Sequence, residues 1–150
     1  MINKIELKEK LYTLYLIAFT LLFCVHTFFQ IQKAIYINMY SLNDKISGDQ
    51  FFYLQRFSKL SLYFEYAITA VFILALAILI ISYKAEISSF IRLNYIIVMV
   101  LLLLSFGTAF LYNASFGNLT QPLVFPFTIL TIVAIVRMIS VKRINISHRN

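Results

Sequence analysis

Between Lys59 and Lys84 the chain reads LSLYFEYAITAVFILALAILIISY over residues 60–83, with Glu65 as the single charge in this run. A helix that crosses the hydrocarbon core of a bilayer needs about 20 mostly apolar residues. The run is apolar on every side, as expected for a helix surrounded by lipid or protein. A membrane strand would instead alternate polar and apolar residues over about ten positions, and residues 71–81 do not alternate. The stretch therefore predicts a transmembrane helix.

The composition of the whole chain agrees with this prediction. Of its 150 residues, 61% are hydrophobic and 13% are charged, whereas an average soluble domain is about 45–50% apolar and about 25% charged. A small soluble domain cannot bury so much apolar surface. The composition therefore argues against a soluble enzyme, a nucleic-acid-binding domain or a disordered tail. Lipid is predicted to surround most of the chain.

Two other uncharged stretches predict three more membrane helices. Residues 11–32 carry no charge and make the first span. The 44 uncharged residues 93–136 are too many for one crossing, and they contain a turn-rich segment at residues 112–122. They are therefore divided into two spans, with Pro126 in the first turn of the second, where proline is tolerated. The predicted spans are about 11–32, 61–82, 93–111 and 123–140.

The positive charges predict the orientation of these spans. With both termini in the cytoplasm, nine Lys and Arg residues lie on the cytoplasmic side and four lie outside, which satisfies the positive-inside rule. The predicted fold is an all-α integral membrane protein, a single antiparallel bundle of four transmembrane helices with cytoplasmic N- and C-termini. The bias toward Ile, Lys, Asn, Tyr and Phe suggests a bacterial source, so the predicted location is the cytoplasmic membrane of the cell.

The first span has a basic start and an apolar core, as a secretion signal does. No small-residue cleavage site follows the core. Lipoprotein processing would need a small residue before Cys24, where the bulky Phe23 stands. We therefore expect this span to remain uncleaved. Cys24 is also the single cysteine of the chain, so an intramolecular disulfide or a cysteine-based metal cage is excluded.

Residues 33–60 form the predicted outer loop, and their pattern indicates helical extensions of the first two spans. After a break at Ser47–Asp49, which offers a helix cap, Phe51, Leu54 and Phe57 recur every three residues with polar residues between them. This spacing is typical of an amphipathic helix at the membrane surface. Anchoring of the aromatic rings in the headgroup layer is the simpler interpretation, and a surface for an external partner is the alternative.

Glu65 and His26 are the candidate polar residues inside the bundle. Ionisable residues in membrane helices are costly and are functional candidates for that reason. Glu65 could form a proton or cation site or contact a partner. If the first two spans are antiparallel neighbours, Glu65 and His26 lie at similar depth, and a hydrogen bond between them would satisfy both residues. The alternatives are that Glu65 is an interfacial carboxylate and that His26 bonds a carbonyl or a water molecule.

Small residues in the third span, Ser105, Gly107 and Ala109, predict close packing of this helix against a neighbour. Basic residues near the end of the chain are expected to reach cytoplasmic lipid headgroups. These lipid-anchoring residues are Arg137, Lys142 and Arg143.

The sequence has no phosphate-binding glycine loop, zinc-protease motif, serine elbow or cysteine redox pair. We therefore predict no catalytic residues, no metal site, no cofactor and no nucleic-acid partner. The leading hypothesis is a non-enzymatic protein that binds another membrane protein or itself, as an accessory subunit of a transport or secretion complex or as a toxin-immunity protein. The alternative is a small oligomeric transporter or channel that uses Glu65 and His26.

Overall fold

The structure, a computed structural model, describes residues 4–40, 47–82 and 87–147, and the side chains of residues 10–40, 47–81 and 87–136. The described residues form four helices, α1 (Lys4–Tyr40), α2 (Gly48–Ser82), α3 (Ile87–Tyr112) and α4 (Phe116–Ser147). Each of these helices is long and apolar enough to cross a membrane. The prediction of an all-helical fold is confirmed for the described residues, and four helices long and apolar enough to cross a membrane suggest a multi-pass membrane protein.

Helices α1 and α2 continue well into the predicted outer loop, as the sequence pattern indicated. Ser47 caps α2 through two reciprocal hydrogen bonds. The backbone N–H of Gln50 donates to the Ser47 hydroxyl at 3.3 Å, and the backbone N–H of Ser47 donates to Gln50 Oε1 at 2.7 Å. This arrangement is a capping box, which satisfies two N–H groups that the helix itself leaves free.

The connection between α3 and α4 is shorter than predicted. Asn113, the residue after the end of α3, has a φ of 49°, a left-handed conformation that asparagine adopts more readily than most residues. The N–H of Ala114 then donates to the Ala109 carbonyl at 3.1 Å, a bond that closes the end of a helix in the same way as a Schellman motif. The turn is therefore limited to residues 113–115.

Helix α4 consequently contains both prolines of the chain. It begins at Phe116, so Pro122 and Pro126 lie inside the helix. The prediction that residues 112–122 form a loop, with Pro126 in the first turn of the next helix, is wrong. Amide and hydroxyl side chains favour turns, but Asn118, Thr120 and Gln121 lie here in the first turns of α4.

The core of the bundle consists of large apolar side chains. Phe19, Phe72 and Leu130 are completely buried, and the ring of Phe90 lies 6.3 Å from that of Phe72. Helix α1 packs most extensively against α2, and α3 against α4. Many other large apolar side chains point outward, which in water would be unfavourable but in lipid is the normal state of a membrane helix.

Candidate functional site

His26 joins three helices at one buried point. Its side chain is 1% exposed. On the α2 side, Nδ1 lies 3.0 Å from the hydroxyl and 3.2 Å from the carbonyl oxygen of Ser61. On the α4 side, Nε2 lies 3.1 Å from the carbonyl oxygen of Asn118. Both ring nitrogens of this α1 residue therefore have polar partners on other helices.

The partners fix the arrangement of hydrogens around the ring. The Asn118 carbonyl can only accept a hydrogen bond, so Nε2 of His26 carries a hydrogen and donates it. In the neutral ring, Nδ1 accepts from the Ser61 hydroxyl, which itself accepts from Nε2 of Gln30 at 2.8 Å. In the doubly protonated ring, Nδ1 can instead donate to the Ser61 carbonyl. The site thus has hydrogen-bond partners for both protonation states of His26.

Pro122 explains why the Asn118 carbonyl is free to bond His26. In an α-helix this carbonyl would accept from the N–H group four residues later. That residue is Pro122, which has no N–H and lies inside α4. Nε2 of His26 supplies the missing donor across the helix interface. The interaction between α1 and α4 is therefore built around a backbone group that α4 cannot satisfy by itself.

A small pocket opens beside this cluster, at the end of the bundle where α3 turns into α4. Its volume is about 90 Å³. Gln30 and Asn118 line the pocket and also belong to the cluster around His26. The other described residues that line it are Lys33, Ala34, Ile37, Asn38, Asn113, Ala114 and Ser115. We call it the Lys33 pocket, because Lys33 is the one charged residue among them.

The predicted pair of Glu65 and His26 is not formed in this structure. The hydrogen bonds of His26 lead to Ser61 and Asn118, and none is recorded between His26 and Glu65, whose side chains are both described. Glu65 is half-buried and lies one helical turn beyond Ser61 on α2. Glu65 and the His26 contact therefore lie within one helical turn of each other along α2. The partner of His26 is the hydroxyl group of Ser61 rather than the carboxylate of Glu65.

The three candidate residues for a partner surface have different surroundings. Phe51 is 63% exposed. Leu54 and Phe57 are half-buried, and the ring of Phe57 lies 6.4 Å from that of Phe29 on α1. Phe57 therefore packs within the chain, and Phe51 is the one of the three that faces outward.

The candidate packing residues of α3 also differ. Ser105 is buried and donates to the Leu101 carbonyl at 2.8 Å. Gly107 is exposed, and a methyl group added to it would meet no atom within 4 Å. Ala109 is half-buried. Within the chain, the close packing predicted for this segment is made at Ser105 and not at Gly107. The predicted anchors Arg137, Lys142 and Arg143 lie outside the residues whose side chains are described.

A second cavity lies on the apolar surface between α1 and α3, and we call it the α1–α3 groove. Its volume is about 270 Å³. Its exposed lining is almost entirely apolar, and half of the lining residues are Thr, Ser or Cys. Thr27 Oγ1 is buried and has no hydrogen-bond partner in the described part of the chain. The lining residues are Thr20, Phe23, Cys24, Thr27, Phe28, Ile31, Leu101, Leu104, Ser105 and Thr108.

Several polar contacts were missed by reasoning from the sequence. Ser61 and Gln30 were not singled out, although both lie near the apolar boundary at the depth of His26. The buried Tyr15 hydroxyl donates to Oδ1 of Asn94 on α3, and Nδ2 of Asn94 donates to the Phe90 carbonyl at 2.9 Å. An asparagine inside a predicted span was the signal that could have identified this contact, because buried amides need partners.

Within the described ranges, no group of three or more His, Cys, Asp or Glu side chains is placed to hold a metal ion. No protein-family model, curated protein or solved structure matches the chain.

Proposed function

We propose that the chain is a small multi-pass protein of the bacterial cytoplasmic membrane that acts by binding another membrane protein. Its role would be that of an accessory subunit of a transport or secretion complex, or of an immunity protein that protects against a toxin. The observation that carries the proposal is the α1–α3 groove. Small and hydroxyl residues on a lipid-facing surface allow a second helix to approach closely, and four of the ten residues that line the groove are Thr or Ser.

The arrangement that we propose for the membrane is an antiparallel bundle with both termini in the cytoplasm. Two hydrogen bonds support it by relating α1 to α3. Tyr15 bonds Asn94, and Nδ2 of Asn38 donates to the Tyr112 carbonyl at 3.1 Å. The later residues of both helices therefore lie at the same end of the bundle. The excess of Lys and Arg at the opposite end supports its cytoplasmic location.

Filling the groove is expected to prevent association with the partner. The replacement Thr108→Trp places a large ring in the groove, so we expect co-purification of the partner from mild detergent to fall by about tenfold or more. Thr128→Trp is the matched control, because Thr108 and Thr128 both bond a carbonyl of their own helix, at 2.9 and 2.8 Å, and Thr128 is not among the residues that line the groove.

The association should be measured with the tagged chain in its native cells, and with two differently tagged copies to detect self-association. Equal losses in the Thr108 and Thr128 variants would contradict a role for the groove. A stable monomer without a partner in every detergent would contradict the proposed function itself.

The second candidate function is that of a small oligomeric transporter or channel. It is favoured by the cluster around His26, which has partners for both protonation states and adjoins the Lys33 pocket. Glu65 is half-buried and lies one helical turn after Ser61 on α2. It would extend a polar path from the cluster around His26 into the bundle. A single four-helix chain encloses little space, so this function requires several copies.

Proton flux into liposomes tests the second candidate. We expect Glu65→Gln to reduce the flux by about tenfold or more, because the amide cannot exchange a proton at this position. Asp49→Asn is the control, since Asp49 lies exposed in the first turn of α2. A wild-type flux that does not exceed that of protein-free liposomes would remove the transporter from consideration.

A further inference from the structure

We propose that the Lys33 pocket binds a single phosphate group, and that this group belongs to the headgroup of an anionic phospholipid. The residues that line the pocket include one cationic side chain, four side-chain amides and one hydroxyl, around a space of about 90 Å³. A space of about 10–15 Å³ by the same measure already admits one water molecule, so the pocket has room for a group of several heavy atoms such as a phosphate.

The charge of the pocket selects an anion. Lys33 contributes an ammonium group, and no Asp or Glu is among the described residues that line the pocket. Asn113, Ser115 and Asn118 also line the pocket, and amide and hydroxyl side chains of these types are hydrogen-bond donors. A phosphate, with several acceptor oxygens and a negative charge, matches this set of donors better than a cation or a neutral molecule does.

The depth of the pocket favours a lipid as the source of the phosphate. Lys33 is the first charged residue after the 22 uncharged residues 11–32 of α1. It therefore lies at the boundary of the apolar segment, where lipid headgroups are found. A lipid bound there would place its acyl chains along the apolar outer surface of the bundle.

The pocket is also connected to the buried cluster. Gln30 and Asn118 line the pocket, and they bond Ser61 and His26 respectively. A ligand that orders these two residues is expected to stabilise the contacts of α1 with α2 and α4, since binding to the folded state raises its stability. Ligand binding therefore has a structural readout that does not depend on the protein's function.

Native mass spectrometry and thermal unfolding of the full chain in an uncharged detergent test the proposal. The probes are phosphatidylglycerol, inorganic phosphate, and a diacylglycerol that lacks the phosphate. We expect one phosphatidylglycerol per chain and a raised melting temperature, with neither effect from diacylglycerol. Lys33→Gln should weaken lipid binding by about tenfold, whereas Lys33→Arg and Lys59→Gln should retain it.

The outcomes distinguish a phospholipid from a soluble phosphate as the ligand, or show that the Lys33 pocket binds neither. Stabilisation by inorganic phosphate that Lys33→Gln abolishes, without retention of lipid, would support the anion site and assign it to a soluble ligand. Retention of phosphatidylglycerol by Lys33→Gln at the wild-type level would overturn the proposal. So would the absence of binding and stabilisation with all three probes, provided that Lys33→Arg and the wild type are both folded.

Discussion

Replacing His26 with leucine is expected to lower the free energy of unfolding of the bundle by about 2 kcal/mol. Leucine fills much of the space of the buried ring but makes no hydrogen bond. The substitution removes the contacts with Ser61 on α2 and with Asn118 on α4. The larger part of the loss should come from the Asn118 carbonyl, because Pro122 provides no N–H to replace the histidine.

The dependence of the Asn118 carbonyl on His26 predicts a smaller effect of His26→Leu when Pro122 is also replaced. In Pro122→Ala, the new N–H can donate to the Asn118 carbonyl within α4, so that carbonyl no longer depends on His26. We therefore expect the cost of His26→Leu to fall to about half in the Pro122→Ala background. Pro126→Ala is the control, because its new N–H would serve the Pro122 carbonyl and leave the Asn118 carbonyl unchanged.

This coupling is measured by titration with a denaturing detergent, followed by circular dichroism. The proteins compared are the wild type, His26→Leu, Pro122→Ala and their double variant. The controls are Pro126→Ala alone and combined with His26→Leu. The expected result is non-additivity between His26 and Pro122 and additivity between His26 and Pro126. Full additivity in both pairs would show that the histidine does not complete the hydrogen bonding of α4. Coupling of similar size with both prolines would indicate a general change in α4 instead.

The existence and approximate position of all four helices followed from the sequence, because charge-free runs of membrane length are a strong signal. The limits of α4 did not follow. The segment from Tyr112 to Pro122 has the composition of a loop, yet most of it is helical. The helix tolerates Pro122 because a donor on α1 satisfies the carbonyl that the proline leaves free. Such compensation by a distant residue leaves no trace in local composition.

The candidate site was predictable in depth but not in rotation. Counting residues from the ends of the spans placed His26 and Glu65 at the same level. One helical turn separates Glu65 from Ser61, the residue that His26 contacts. Which face a helix turns toward its neighbour depends on the packing of all four helices, and an apolar run without a polar stripe contains little information about it. Asn94 marked a polar position inside the third span, but its pairing with Tyr15 likewise depends on how the helices are rotated.

Replacing Leu103 with arginine is expected to lower the equilibrium constant for insertion of α3 into the membrane by roughly a hundredfold. Leu103 is 70% exposed on the outer surface of the bundle and lies near the middle of the predicted span 93–111. An arginine at the centre of a membrane helix costs about 2.5–3.5 kcal/mol on the insertion scale. In a water-soluble helical protein, the same exposed position would accept arginine with almost no effect.

Phe110→Arg provides the matched comparison. Phe110 is 85% exposed but lies two residues before the end of α3 at Tyr112, so an arginine there can extend its charge to the headgroup layer. We expect this variant to insert almost normally. Membrane integration is measured by reporter fusions after α3 and by extraction of membranes at high pH. If both arginine variants integrated and folded as well as the wild type, the apolar outer surface would not face lipid, and the assignment of α3 as a membrane span would be wrong.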